Sequence, residues 1–254
     1  MKLKILGCYG GRLPRKHATS FLLDGTTLLD AGSASSVLKP QALKRIKHVL
    51  LSHGHLDHVG DLPNMGDMLI GPGMRTVEVI GSSYTIGILS NHLMNGALWP
   101  DFARLPTPEA PMYRYRIEDE NKVFKVGKYS VEFVPVKHTI PTHAMFIRGK
   151  AGTILYTGDT GPTEQVWQMA RQETNLKAII TEISFPNALK DLSILTGHMS
   201  PCHIDAELAK MGRTDVPVYI YHFKPWFEEI LLKEVKEIRY PHLRPLVQGE
   251  TLKF

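Results

Sequence analysis

Four side chains able to ligate a metal stand within six residues of one another in His53-Gly54-His55-Leu56-Asp57-His58. Imidazole and carboxylate without thiolate form a donor set suited to zinc, manganese or iron. In an extended loop, residues i and i+2 point the same way, so His53 and His55 can share one ion. The turn that follows directs Asp57 and His58 toward a second. Three more donors, His138, Asp159 and His222, each fall where a run of strand-forming residues ends. Strand ends converging on one edge are what a two-metal site requires, and a carboxylate such as Asp159 can bridge the pair. A water or hydroxide held between two divalent ions is a nucleophile at neutral pH, so the chemistry indicated is hydrolysis.

The elements that must position these groups follow from the same residues. Leu3 to Gly7 reads as a first strand, and Ser20 to Asp30 as two apolar runs joined by Asp24-Gly25, a hairpin signal because both residues tolerate positive φ. Pro40 to Lys47 reads as a short helix. His48 to Ser52 is a buried strand ending on His53, which places the motif at a strand's carboxyl end, where α/β proteins usually build sites. Further strands are expected at Val77–Gly81, Tyr129–Lys137, Ala144–Arg148, Thr153–Thr157, Lys177–Ile183 and Val216–Tyr221. Helices are expected at Tyr84–Asn95, Thr163–Thr174 and Pro225–Arg239, the last with Trp226, Ile230, Leu231, Val235 and Ile238 as its buried stripe. Residues 96–114 carry Pro100, Pro106, Pro108 and Pro111 among apolar and aromatic side chains and read as an ordered lid-like insertion. The whole pattern predicts one domain over residues 1–254, an α/β sandwich with helices outside and sheets inside.

Composition narrows the partners. With 43% hydrophobic and 22% charged residues in 254, the chain has the balance of an ordinary globular protein. A formal net charge of +5 favours an anionic substrate or simply a slightly basic surface. No Lys/Arg-rich run interleaves with aromatics, so nucleic-acid binding is not indicated. No stretch has the apolar length of a membrane span. Cys8 and Cys202, far apart, fit a reducing compartment. The first residues lack a signal peptide's apolar core and cleavage site, and a cytoplasmic location is expected.

The pattern His-x-His-x-Asp-His, followed by distant His, Asp and His, resembles the metallo-β-lactamase superfamily. That resemblance implies a four-layer αββα fold. It also implies that His53, His55 and His138 bind one metal, that Asp57, His58 and His222 bind the other, and that Asp159 bridges them. Within the superfamily, four segments resemble class II cyclic-nucleotide phosphodiesterases. They are His55-Leu-Asp-His58-Val, Asn95-Gly-Ala-Leu-Trp99-Pro-Asp-Phe102, Glu182-Ile-Ser184-Phe-Pro-Asn187 and Gly197-His198-Met-Ser-Pro201. The resemblance implies a 3′,5′-cyclic nucleotide (cAMP or cGMP) as the small-molecule substrate, two divalent ions (Zn²⁺ or Mn²⁺, or Fe) as cofactors, and a homodimer. Residues expected to face the substrate are Asn95, Trp99, Phe102, Ser184 and Asn187. Trp99, Phe102 and Tyr113 would stack on the base or else anchor the 96–114 segment to the core or to a partner subunit.

Chemistry agrees with a phosphodiester. The departing 3′-oxygen is a poor leaving group and benefits from a proton donor, for which His198 is the candidate, with Glu182 to orient it. The resemblance to the fold's nucleases implies that Asp57 also aligns the attacking water. His143 is a candidate to orient a ligand. The remaining histidines, His17, His48, His92, His203 and His242, read as structural. Rival readings are a tRNA 3′-end-processing nuclease, a thioester hydrolase of the glyoxalase II type and, outside catalysis, a metal- or nucleotide-binding sensor.

Overall fold

Asp24 and Gly25 take φ of 45° and 75°, and the Thr26 amide donates to the Leu23 carbonyl at 3.2 Å. Both residues thus take the positive φ that the dipeptide predicts, in a tight turn whose twist matches a right-handed hairpin. It joins Ser20–Leu23 (β2) to Thr27–Leu29 (β3) in the register Phe21 to Leu29, Leu22 to Leu28 and Leu23 to Thr27. The computed structural model describes residues 1–71 and 73–254.

Around that hairpin, Lys2–Gly7 (β1), His48–Leu50 (β4), Val77–Gly81 (β5), Tyr113–Ile117 (β6) and Thr251–Lys253 (β14) complete a sheet in the order β14-β1-β2-β3-β4-β5-β6. A second sheet has the order β13-β12-β11-β10-β9-β8-β7. It contains Val123–Val126 (β7), Tyr129–Val136 (β8), Thr142–Gly149 (β9), Gly152–Tyr156 (β10), Leu176–Glu182 (β11), Val218–Tyr221 (β12) and Leu243–Pro245 (β13). Each sheet has an antiparallel half and a parallel half, β3 to β6 in one and β10 to β13 in the other. In each parallel half the carboxyl ends share one edge, and the candidate ligands other than His138, which follows β8, lie there.

Alternation along the strands explains the layering. Phe21, Leu23, Leu29, Leu50 and Ile80 point between the sheets, where they meet Val131, Phe133, Met145, Ile154 and Ile180. Their chain neighbours Leu22, Leu28, Val49 and Val79 point outward, under a layer containing Leu43, Leu62 and Met65. On the other side, Phe146, Leu155, Ile179 and Ile220 pack under Trp167, Ile204, Leu208 and Leu231. Both faces of the central strands are therefore apolar, which is what sheets covered on both sides require, while the edge strands β7 and β14 alternate buried and exposed residues. The architecture is the α/β, αββα sandwich.

Of the two roles expected for the aromatic residues of the 96–114 segment, the structure shows the anchoring one. Phe102 is buried in the outer layer, edge-on to Tyr113 with ring centroids 5.8 Å apart, and Tyr113 donates its hydroxyl to the Leu62 carbonyl at 2.7 Å. Trp99 packs against the same cluster. Apolar burial outcompetes solvent exposure for these rings, which leaves Phe102 and Tyr113 unavailable to a substrate. The helix expected at Pro225–Arg239 is instead a 3₁₀ turn, Pro225–Phe227, then an α-helix, Glu228–Glu234, then a second 3₁₀ turn, Val235–Glu237. Tighter winding at its start takes Trp226 out of phase with the stripe. Leu231 and Val235 are buried, but Trp226 is 78% exposed and Ile230 40%.

Candidate metal centre

Parallel pairing of β3 and β4 brings Asp30, Ser52 and His53 to one edge, since Asp30 follows β3 directly and Ser52 and His53 stand two and three residues past the end of β4. His53 is buried, and His55 caps the four-residue helix Leu56–Val59 with extended backbone, so the two alternate as the spacing predicts. Asp57 and His58 lie on that short helix. From the second sheet, His138 follows β8, Asp159 follows β10, Glu182 ends β11 and His222 follows β12.

These groups converge in two sets. His53, His55 and His138 form one, and Asp57, His58, Asp159 and His222 the other, with the donor atoms of each set within 4.8 Å of one another. His55 Nδ1 stands 3.1 Å from both His53 Nε2 and His138 Nε2. His58 Nε2 and His222 Nε2 are 3.2 Å apart. Asp159 Oδ2 lies 3.0 Å from His222 Nε2, 3.2 Å from His58 Nε2 and 3.8 Å from His53 Nε2, so it faces both sets. Asp57 Oδ2 is 3.2 Å from His222 Nε2.

The donor set fits metal ions on a further count. Outer ring nitrogens are committed elsewhere: His53 Nδ1 to Ser52 Oγ at 3.0 Å, His58 Nδ1 to Asp30 Oδ2 at 2.7 Å, His138 Nδ1 to the Gly197 carbonyl at 2.8 Å, and His222 Nδ1 to Ser184 Oγ at 2.8 Å. With Nδ1 protonated toward a carboxylate, carbonyl or hydroxyl oxygen, the Nε2 lone pair of these four rings is left facing the cluster. Ligand atoms on one tetrahedral ion with bonds of about 2.0–2.1 Å stand about 3.3–3.4 Å apart, close to the spacings found here.

Electrostatics point the same way. Burial holds His53 well below the usual imidazole range, and His58 adds to the effect. Burial and then the neighbouring His138 push His55 down to about 4. Neutral imidazole is the ligating form. Burial also opposes ionisation of Asp159, but His222 and His58 outweigh it and hold that carboxyl well below its ordinary value. His58 is pulled down by burial, yet Asp159 and Asp30 on its two sides carry it well above the ordinary range. Two carboxylates there attract positive charge to the position of the ring.

A second apparatus adjoins the second set. Glu182 is fully buried and its Oε1 lies 2.6 Å from His198 Nδ1, while its Oε2 accepts from Ser184 Oγ at 2.8 Å. The His198 ring stacks on His222, with centroids 5.2 Å apart, and stands edge-on to His138 at 5.0 Å. Burial lowers the His198 pKa, but the Glu182 carboxylate outweighs it and leaves the imidazole above its ordinary value.

Other assignments need correction. Ser184 is completely buried and spends its hydroxyl on Glu182, His198 and His222, so it orients the ring rather than facing a substrate. Asn187 accepts from the Cys202 amide at 2.8 Å and thereby caps the helix Pro201–Ala209. Asn95 closes its own turn, accepting from the Ala97 and Leu98 amides and donating to the Asn91 carbonyl. The His143 ring meets Glu120 at 3.2 Å, and only its backbone amide supports the site, through the Ser52 carbonyl.

Sequence reading missed Asp30. Its carboxylate takes hydrogen bonds from the Ser52 amide at 2.8 Å, Ser52 Oγ at 2.7 Å and Tyr156 Oη at 2.5 Å, as well as contacting His58. The signal was present, because Asp30 closes a strand just as Asp159 does. Lys224, two residues past His222, was also missed; its Nζ lies 4.0 Å from Asp57 Oδ2.

Backbone placement is tight. His222 adopts φ 74°, a conformation that costs a bulky residue of order 1–3 kcal/mol and persists only where its surroundings enforce it. Gly10 is part of that enforcement, since a Cβ there would come within 2.7 Å of the His222 ring and carbonyl. Gly10→Ala is therefore expected to shift His222 and lower metal affinity by about 10–100-fold, the range for disturbed ligand support. Metal content by plasma mass spectrometry checks this, and a full complement after dialysis against a competing chelator would refute it.

Residues 21–221 match the beta-lactamase superfamily domain, and the chain belongs to that family. It is 30% identical over 236 residues to a probable 3′,5′-cyclic-nucleotide phosphodiesterase of Yersinia pestis, an alignment covering 82% of this chain and 64% of the relative. The chain thus spans just under two thirds of that protein's length. A 3′,5′-cyclic-nucleotide phosphodiesterase of Aliivibrio fischeri is 26% identical over 257 residues, covering 83% of this chain and 71% of the relative. Among solved structures, unliganded yeast PDE1 superposes with a TM-score of 0.82 at 18% identity, covering 100% of this chain and 99% of the other. The metallo-beta-lactamase fold protein YhfI of Bacillus subtilis gives 0.79 at 19% identity, covering 99% and 98%. Among the described residues, no helix is long and apolar enough to cross a membrane.

Proposed function

We propose that this protein is a metal-dependent phosphodiesterase that hydrolyses 3′,5′-cyclic nucleotides to 5′-nucleotides. The observation that carries the reading is the Glu182–His198 pair set against the second ligand cluster, a proton donor placed beside a centre for charged oxygens. His53, His55 and His138 would hold one divalent ion, and Asp57, His58 and His222 the other, with Asp159 between. Zinc, manganese and iron all suit such nitrogen and oxygen donors. Bound there, the ions supply positive charge for the phosphoryl oxygens and lower the pKa of water.

The chain's own residues then divide the work. Asp57, only partly exposed, accepts a hydrogen bond from the attacking water, aligns it on phosphorus and takes up the proton that the water releases as it bonds. As the new P–O bond forms, the P–O3′ bond breaks and its electron pair stays on the 3′-oxygen. His198, protonated because Glu182 favours its charged form, delivers the proton that this alkoxide needs. Ser184 and Glu182 fix the orientation of that ring.

His198→Ala is expected to lower kcat for cyclic AMP by about 10²–10³-fold, within the range for general acid catalysis. An aryl diester such as bis(p-nitrophenyl) phosphate, whose leaving group needs no proton, should lose less than about tenfold. Equal losses on both substrates would remove the general-acid role. Turnover of cyclic AMP, cyclic GMP, an aryl diester, a precursor tRNA and a glutathione thioester by protein of measured metal content tests the reading as a whole. Thioester cleavage without phosphodiester cleavage would sink it.

A further inference from the structure

The chain leaves β12 at Tyr221, passes through His222 and turns at once through Phe223-Lys224-Pro225-Trp226-Phe227. This turn is pinned from several sides. The Gly10 amide donates to the Phe223 carbonyl at 3.1 Å, the Lys224 amide to the Ser184 carbonyl at 3.2 Å, and the Phe227 amide to the Lys224 carbonyl at 2.9 Å. Lys16 Nζ reaches the Pro225 carbonyl at 3.3 Å and also pairs with Glu228. A segment held this firmly has no need of exposed apolar surface for its own stability.

Two side chains of the turn nonetheless remain unspent. Lys224 carries its ammonium to the mouth of the site. Its one close charge partner among the described residues is Asp57 at 4.0 Å, beyond hydrogen-bond reach. Trp226 is 78% exposed, while its neighbours in the turn face inward. Phe227 packs on Phe185 at 6.2 Å between centroids, and Phe185 packs on His198 at 5.9 Å. In the chain Trp226 thus stands between Lys224, whose Nζ lies 4.0 Å from Asp57 Oδ2, and Phe227, which packs on Phe185, itself in contact with the His198 ring. Two peptide steps separate the Cα atoms of Lys224 and Trp226 by no more than about 7 Å. That is comparable to the reach from phosphate to base across a ribose.

We propose that the Lys224–Phe227 turn is the nucleotide grip of this enzyme: the Lys224 ammonium binds a non-bridging phosphoryl oxygen, and the exposed Trp226 indole stacks on the base. The assignment rests on the cyclic-nucleotide reading above. It moves base recognition from the 96–114 segment, whose Phe102 and Tyr113 are consumed by the core, to the turn that follows the last candidate ligand. An indole face accepts any nucleobase, because every base offers a π surface, so the grip recognises nucleotides as a class without selecting one purine. A lone cation at the mouth contributes in a different way, favouring anionic diesters over neutral esters.

Calorimetric binding of 5′-AMP and of ribose 5-phosphate to the metal-loaded protein separates the two contributions, since the second ligand has the phosphate without the base. Wild-type protein should prefer 5′-AMP by about tenfold, the size of one base–aromatic stack. Trp226→Ala should abolish that preference through loss of 5′-AMP affinity, and Trp226→Phe should restore most of it. Lys224→Met should weaken both ligands alike by about tenfold, as expected for a charge-assisted contact, with Lys224→Arg recovering most of the loss. A Trp226→Ala protein that still prefers 5′-AMP, or a Lys224→Met protein that binds both ligands within twofold of wild type, overturns the grip. Turnover of cyclic AMP and cyclic GMP by the wild type reads the underlying function separately. Inactivity on both, with the Trp226-dependent preference intact, would overturn the reaction and keep the grip. Activity together with an unchanged preference in Trp226→Ala would overturn the grip alone.

Discussion

Asp159→Ala is expected to lower turnover by about 10³-fold or more and to reduce the bound metal below two ions per chain. The magnitude follows from losing several kcal/mol of charge stabilisation at the reacting centre, with each about 1.4 kcal/mol worth tenfold in rate. Asp159 is singled out by position, because its Oδ2 lies within 3.8 Å of nitrogens from both ligand sets while no other carboxylate among the described residues joins them in this way. Its ionised form is enforced by His222 and His58 against the opposing effect of burial. Tyr221 Oη donates to the remaining oxygen at 3.3 Å, so Asp159→Asn keeps the volume and this contact but loses the charge. The asparagine variant should be nearly as inactive as alanine. Activity of Asp159→Asn within tenfold of wild type, with two metals still bound, would show that the carboxylate packs the cleft and holds no ion.

Asp30→Ala should damage fold and site together, although Asp30 belongs to neither ligand set. The carboxylate is fully buried and accepts from the Ser52 amide and hydroxyl, from Tyr156 and from His58. Deleting it leaves those donors without a partner in an interior that offers no replacement. A lost partner of a buried charged network costs about 3–5 kcal/mol, a large part of a typical stability of about 5–15 kcal/mol. For a chain of this length that corresponds to a drop in Tm of roughly 10 °C. Freed from Asp30, His58 also loses the group that aims its Nε2 inward, which should weaken metal binding by about 10–100-fold. Calorimetric unfolding and a chelator titration measure the two effects. A variant that melts within 2 °C of wild type, on the scale of under about 1 kcal/mol, would mean that water replaces the carboxylate at no cost.

The sequence was most informative where chemistry is local. His53 to His58 needed nothing but spacing, because an extended strand end and a short turn decide where four adjacent side chains point. Asp24-Gly25 was equally plain, since its turn type is a property of two residues. Strand ends supplied His138, Asp159 and His222 by a single rule, and the structure brings all three to the motif. The same rule applied to Leu28-Leu29-Asp30 would have found Asp30, whose role appears only when His58, Ser52 and Tyr156 are seen on one carboxylate.

The aromatic residues are where tertiary packing decides most. Trp99, Phe102 and Tyr113 stood in a proline-rich stretch that reads as a lid, and Trp226 in a helical stripe that reads as core. Tertiary packing buries Phe102 and Tyr113 and leaves Trp226 on the surface. Aromatic side chains satisfy core and site equally well in composition, and only the phase of a turn and the shape of the neighbouring layer choose between them. Among the polar residues, Ser184 is buried with its hydroxyl claimed by Glu182, His198 and His222, while Asn95 and Asn187 each accept from backbone amides nearby. What the sequence determined by itself was the donor set and the strands that carry it, because ligand type and alternation are properties of single residues and their near neighbours. What the tertiary structure decided was which donors face inward and which surfaces remain free, because both depend on contacts between segments such as Asp30 with Tyr156, or Gly10 with His222, that lie far apart in the chain.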